Sequence, residues 1–554
     1  MPILDRLDDG IDRVSHFISG SLTSRGQFIG GCESRALETG LFLHLMRSRR
    51  EDHPAQVPLA RYCRRYLDGA GKNASSLDAV IAATICRGVL GLPLHAQGHA
   101  QGHARLKEAL RAFDHPTQRR KIIFFTTLFA DLGLLTPPTE DPSSPDPNQQ
   151  VWVTVIMTSL RIINATSRGR PELVRAEDIA FLVAEQSPSG GWEQHVLATL
   201  VALLALHRAD AGEEAQRRGI AYVIDQMRDD GGVPFIADED TWVTCLSAHI
   251  LAEARPSTCD LNAVARYLLS EQRPDGGWAY SQGVRQTDAD DTSISLAFLS
   301  RHDPLAHREA IRQAQWYLLA LQNEDGGFPT FTRGAASEAE ITAKAILALR
   351  TSSDMFFQSR IDRGWLWLAR AQRPDGSFRA EWKLSATYPA LHVLTAARTS
   401  EQTPQVAKIR AGAAAFLRSW RQPNGGWGLR PDDREVHLLS TAYAVAGLAT
   451  DVSELSRTEF SRSVALLLEM QASDGGFYSS GDSLGPRPFV YDVPLLASIY
   501  SLLALSRSRL ALRQYMHAEA PKRPRKPAKR GVERVVHRAP VPTRYPPRRE
   551  HVPT

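Results

Sequence analysis

Two apolar patterns alternate along this chain. One is continuous and rich in small residues, as in Ile341-Thr342-Ala343-Lys344-Ala345-Ile346-Leu347-Ala348-Leu349 and Thr441-Ala442-Tyr443-Ala444-Val445-Ala446-Gly447-Leu448. It predicts helices buried on most of their faces. The other is amphipathic and predicts helices that cover the first kind. Between them recurs a unit of Gln, a polar turn, Gly-Gly and an aromatic, at Gln186 to Trp192, Gln272 to Trp278, Gln322 to Phe328 and Gln471 to Phe477. Gly accepts the left-handed conformation of a helix C-terminus and Pro cannot continue a helix, so each unit stops one helix before the next begins. Weaker copies run from Gln226 to Val233, Gln372 to Phe378 and Gln422 to Trp427. From Gln272 the glutamines fall at 272, 322, 372, 422 and 471, steps of 50, 50, 50 and 49. That period holds a helix, a turn, a second helix and a loop.

An array of such hairpins can close into an α/α barrel. The strict period begins near residue 240, while the stretch from about 20 to 235 is helical with irregular repeats and a Pro-rich loop from Thr136 to Pro147. The expectation is an all-α protein of two α/α barrels side by side. Its units are an N-terminal helix at 1–20, a first barrel at 21–238, a second barrel at 239–508 and a tail at 509–554. A ligand site is expected between the barrels or in a barrel mouth.

Composition changes this picture at one end only. The 554 residues are 43% hydrophobic, ample for two cores, and the formal charge is +5. Residues 519–554 hold eleven Lys/Arg against three Glu, a net of +8, so the remainder carries 5 − 8 = −3. The body is therefore not a nucleic-acid binder by charge. The tail, with eight Pro and few apolar residues, reads as disordered. Five cysteines without paired spacing, Cys32, Cys63, Cys86, Cys245 and Cys259, suit reduced thiols in a cytoplasmic protein. The N-terminus lacks a signal-peptide pattern, and no window reads as long and apolar enough for a bilayer. At most a peripheral membrane contact is expected.

The candidate chemistry lies sixteen residues after Gln272, in Asp288-Ala289-Asp290-Asp291-Thr292. By itself the run also reads as an N-terminal cap on the following helix. With the repeats, the Glu338-to-Lys344 helix start, Trp382 with Tyr388 six residues later, and Ser440-Thr441-Ala442-Tyr443, the chain resembles a class II terpene cyclase. That group includes squalene-hopene cyclases and bacterial cyclases of farnesyl or geranylgeranyl diphosphate. The resemblance is close over 180–505 and loose before it, and it implies that the N-terminal helix joins the second barrel. It also implies that Asp290 is the proton donor, with Asp288 and Asp291 to orient and polarise it. Clustered carboxylates suit that task, because like charges resist joint ionisation and hydrogen bonds stabilise the carboxylate left behind.

The same resemblance matches Trp242, Trp382, Tyr388 and Tyr443 to aromatic positions that face the cationic substrate, with core packing as the other reading of each. It implies an isoprenoid substrate, a farnesyl or geranylgeranyl diphosphate cyclised to a bicyclic drimenyl- or copalyl-type diphosphate. Mg²⁺ is expected to accompany the diphosphate, with Lys344, Lys383, Arg333 and Arg487 as candidate diphosphate ligands and Asp238-Glu239-Asp240 as a candidate metal loop. A downstream phosphatase or class I synthase is a possible partner. A squalene or meroterpenoid cyclase, or a non-catalytic helical scaffold, are the alternatives. Two lesser motifs, the acid run Asp8 to Asp12 and the run His95 to His103, read as a chance match and a surface loop.

Overall fold

The computed structural model describes residues 3–519 except 51, 72–75, 95–98, 113–117, 141–148, 255–258, 352–354, 451–456 and 486–487. Much of the Pro-rich loop and all of 520–554 thus lie outside the described residues.

The apolar segments of the second half form six inner helices, Asp240–Ala254, Ala289–His302, Ala339–Leu349, Thr387–Thr399, Leu438–Leu448 and Leu495–Glu519. Each packs on the next, and the last returns to the first, so the ring is closed. The amphipathic segments between them lie outside. The repeat explains the closure. Gln272 donates to the carbonyl of Gly276 in its own turn at 2.9 Å and to that of Ala310, in the next outer helix, at 3.0 Å. Gln322 and Gln372 do the same with Arg360 and Ile409. Gln471 closes the circuit onto the N-terminal helix Ile3–Ser19, donating to Gly10 at 3.0 Å. Gly276 has φ +89°, and a Cβ there would stand 2.6 Å from the Gln313 carbonyl; at Gly475 (φ +91°) it would meet Arg13. Where the aromatic of the unit is Trp it is stapled too, as Trp278 Nε1 donates to the Leu268 carbonyl and Trp427 Nε1 to that of Leu417.

The first half forms its own ring. Helices Ala36–Ser48, Leu77–Val89, His99–Arg111, Gln118–Asp131, Val151–Ser167 and Val196–Arg208 contact one another in that order and back to the start. Two short antiparallel ribbons interrupt the all-α pattern. Ser34–Arg35 pairs with Val233–Pro234, and Ser483–Leu484 with Val490–Tyr491. Both flank the cleft between the rings.

Three expectations need correction. The tail does not begin at 509, because the last inner helix runs to Glu519 and buries Ala511 and Leu512; apolar spacing continues until Pro521 forbids it. That helix is also long and apolar enough over Leu495–Tyr515 to cross a membrane, but 83% of its apolar window is buried in the ring, as suits a core helix. His99 onward is helical rather than loop, with 95–98 outside the described residues. The Asp8 to Asp12 run lies on the N-terminal helix, where Asp8 pairs with Arg509 at 3.1 Å.

A buried ion pair spans the ring: Arg507 on the last inner helix reaches Glu253 on the first at 3.0 Å and donates to Thr395 at 2.8 Å. Burial pushes the Glu253 carboxyl up, but Arg507 outweighs it and brings the group from 4.5 to about 2. Because the folded value is the lower one, this stabilisation is present above about pH 4.5 and is lost as pH falls toward 2. Glu253→Gln is expected to reduce the unfolding free energy by about 3 kcal/mol at pH 7. In urea titrations the deficit should shrink steadily below pH 5. A deficit that is constant with pH contradicts the assignment.

Candidate active site

Asp288 caps the inner helix Ala289–His302, in extended backbone with its Oδ1 accepting from the Asp291 N–H at 2.8 Å. The capping and acid-cluster readings of the run therefore coexist. Its backbone is fixed on both sides: Asp288 N–H donates to Trp278 and Ala289 N–H to Thr330. Asp288 and Asp291 are each 2% exposed. Burial, then the neighbouring Asp290 charge, pushes Asp288 up to about 7 despite its hydrogen bonds to Asp291. Burial and the adjacent Asp288 hold Asp291 well above the carboxylate range. Both shifts favour the protonated form of the pair.

Asp290 faces a different partner. Both its oxygens accept from Lys344 Nζ, at 2.7 and 2.9 Å, and the same ammonium donates to the Tyr388 hydroxyl at 2.8 Å. Lys344 lies on the neighbouring inner helix, 4% exposed. It is consequently not a diphosphate ligand as the sequence suggested; its three donors are committed to the acid site. Tyr388 packs edge-on against Tyr443 and Tyr500, with ring centres 5.0 and 6.0 Å away.

The acids open into a cavity between the rings, walled by Trp242, Trp382, Tyr388, Phe331, Tyr280 and Phe235 among others. Trp382 is anchored by its Nε1, which donates to Glu338 at 2.6 Å and Thr330 at 2.8 Å. Tyr443 does not line this cavity; it stands behind Tyr388, its hydroxyl directed to Asp482 at 3.3 Å. The first ring adds Trp152 and His195, which sequence reasoning missed. Burial holds His195 down at about 3, which favours the neutral ring, and it lies tilted against Trp152 with ring centres 4.8 Å apart.

Lys383 also lines the cavity, its ammonium 2.6 Å from Ser483 Oγ and 5.0 Å from the Trp242 ring centre. Arg333 is exposed on a turn and lines none of the cavities described here, and Arg487 falls outside the described residues. A second cavity shares Trp152, Trp382 and Gly485 with the first and adds Arg120, Lys121, Glu338 and Glu381. No repeat unit marks Arg120 and Lys121 in the sequence. Burial, then Arg120, brings the Lys121 ammonium down to about 7, a position that favours a nearby anion.

The proposed metal loop does not assemble. Asp238 accepts from Ser281 Oγ, Asp240 accepts from Gln27 and the Gly30 N–H, and Glu239 accepts from the Tyr491 hydroxyl. Successive side chains thus point to different neighbours, and among the described residues no three His, Cys, Asp or Glu converge to hold an ion.

The two helical rings and the acid site at their cleft define a toroid protein with a buried carboxyl cluster beside an aromatic cavity. The prenyltransferase alpha-alpha toroid domain family matches residues 132–316 and 292–477. A drimenyl diphosphate synthase of Streptomyces showdoensis is 35% identical over 501 residues, covering 90% of this chain and 93% of its own. Another, of Streptantibioticus cattleyicolor, is 35% identical over 516 residues, with 90% and 94% covered. A squalene–hopene cyclase of Bradyrhizobium diazoefficiens is 26% identical over 34% of either chain. The solved ent-copalyl diphosphate synthase from Streptomyces platensis covers 92% of this chain and 99% of its own at 17% identity, with a TM-score of 0.58, a likeness in fold. This chain belongs to the class II terpene cyclases.

Asp288 supplies a prediction. A carboxyl raised from 3.8 to about 7 in the fold costs stability as pH rises across that interval. Asn caps a helix as well as Asp does. Asp288→Asn is expected to gain about 2–4 kcal/mol on the wild type between pH 4 and pH 8. Chemical denaturation at both values measures it; an equal difference at the two shows that Asp288 ionises without penalty.

Proposed function

We propose that this protein cyclises farnesyl diphosphate to a bicyclic, drimenyl-type diphosphate by protonating the alkene farthest from the diphosphate. The observation that carries the reading is Asp290, held by both oxygens on Lys344 at the wall of an aromatic cavity. The 35% identity to two drimenyl diphosphate synthases along nine-tenths of the chain supports the substrate class. A squalene cyclase is less well supported, since that likeness covers a third of the chain.

Protonation of a carbon–carbon double bond needs an acid whose conjugate base is strongly held. In its acid form, loaded by proton transfer from the neighbouring Asp288–Asp291 pair, Asp290 gives its proton to the terminal alkene carbon, and the two charge-assisted hydrogen bonds from Lys344 hold the carboxylate that remains. Tyr388 holds Lys344 in place. The pair Asp288 and Asp291, two residues before the donor and one after it, stores the proton that reloads it. Positive charge then moves through the folded chain while Trp242, Trp382 and Phe331 offer aromatic faces without a nucleophile. Trp152 excludes water from the first-ring side.

The diphosphate occupies the second cavity, where Arg120 and Lys121 meet it. Glu381 on that wall would supply a carboxylate to Mg²⁺, which takes one or two carboxylates together with phosphate oxygens and would neutralise the diphosphate, while Glu338 stays committed to Trp382 and Thr330. No carbon–oxygen bond breaks, so substrate and product are isomers. The product keeps its diphosphate and requires a phosphatase or an ionising synthase to use it. Five unpaired cysteines accord with a cytoplasmic setting.

Asp290→Asn is expected to lose cyclisation by at least a thousandfold while melting within a few degrees of the wild type, because the amide fills the same space and carries no acid proton. Lys121→Met is expected to raise KM for farnesyl diphosphate about tenfold or more with kcat nearly unchanged. Assays with C10 to C30 substrates, read by mass spectrometry of dephosphorylated products, check both. Cyclised product from Asp290→Asn at the wild-type rate refutes the acid, and geranylgeranyl diphosphate turned over in preference to farnesyl diphosphate refutes the chain length.

A further inference from the structure

One carboxyl on the wall of the aromatic cavity has no part in the acid step. Glu239 precedes the inner helix Asp240–Ala254, three residues before Trp242, and is 7% exposed. It lines the same cavity as Asp290. Its backbone is pinned, with its N–H donating to the Gly30 carbonyl at 2.9 Å and its own carbonyl accepting from Val243 at 2.8 Å. Its side chain is half committed: Oε1 accepts from the Tyr491 hydroxyl at 2.6 Å, while Oε2 is buried without a hydrogen-bond partner. A buried oxygen left without a donor costs on the order of 1–3 kcal/mol, and such a cost is commonly kept where the lone pair has a use.

The chemistry supplies the use. A cyclisation that starts by gaining a proton at one carbon ends by losing one elsewhere, and the rest of this wall is chiefly aromatic. We infer that Glu239 is the base that ends the cyclisation, with Tyr491 as the residue that positions it. The carboxylate takes a proton from a carbon next to the cationic centre, and the C–H electron pair becomes the new double bond. Glu239 is left as the carboxylic acid and returns its proton to water once the product leaves. Tyr491 holds Oε1 by its hydroxyl, which leaves Oε2 to reach the substrate. This inference rests on Asp290 as the acid.

The test separates the two roles. Glu239→Gln and Tyr491→Phe in the full chain are incubated with farnesyl diphosphate in ¹⁸O-labelled water, and the dephosphorylated products are resolved by gas chromatography and mass spectrometry. Glu239→Gln is expected to lower kcat at least tenfold with KM within twofold, and to divert the cation to isomeric alkenes or to a bicyclic alcohol carrying ¹⁸O. Tyr491→Phe is expected to lower kcat less, with the same by-products in smaller amount; if Glu239→Gln does not fold, this variant decides. An unchanged product profile at the wild-type rate overturns the inference, and so does a folded Glu239→Gln that consumes no substrate, since loss of the terminating base leaves protonation possible. Asp290→Asn, by contrast, should give no bicyclic product of any kind, so failure of the acid reading is recognised separately.

Discussion

The rest of this molecule is arranged around one buried contact, the ammonium of Lys344 between the two oxygens of Asp290 and the hydroxyl of Tyr388. The three residues sit on three successive inner helices, so the contact exists only if those helices hold their register in the closed ring. A charge pair taken out of water is favourable only with good geometry and further hydrogen bonds. Here both carboxylate oxygens and all three of the ammonium's donors are satisfied at ordinary distances. The remaining acids are buried beside this contact, and burial raises both above the usual carboxylate range. Two carboxyl environments one residue apart thus follow from a single turn of helix and its cap.

The ring that enforces this geometry is built by the repeat. Gln272, Gln322 and Gln372 each tie their own turn to the next outer helix, and Gln471 reaches the N-terminal helix across almost the full length of the chain. Arg507 and Glu253 join the last and first inner helices on the inside. The N-termini of several inner helices consequently meet at one mouth, where Asp288, Glu239 and Tyr388 stand together, and the first ring covers that mouth with Trp152 and His195.

Much of this was legible in the sequence, and the failures share a cause. The period from Gln272 onward specified the second ring because the same bonds recur at Gln272, Gln322, Gln372 and Gln471. The acid run was legible because its spacing sits at a fixed place in that period. Lys344 was misassigned because a lysine in an apolar inner helix signals a buried partner without naming it, and its partner lies 54 residues away. Tyr443 was placed one layer too far forward for a similar reason: helical spacing gives the face but not which ring stands in front. Arg120, Lys121, Trp152 and His195 were missed because they come from the irregular first ring and reach the site only through tertiary packing. The Asp238 to Asp240 loop looked like a metal site because composition does not show that consecutive side chains diverge.

The central claim is that chemistry begins with a proton at the end of the substrate remote from its diphosphate. The most direct measurement is turnover of farnesyl diphosphate by the purified protein in D₂O, with product mass, deuterium position and free pyrophosphate followed together. One deuterium per product, on the carbon that Asp290 protonates, with no pyrophosphate released with turnover, is the expected result. A product without deuterium, formed with stoichiometric pyrophosphate, contradicts it.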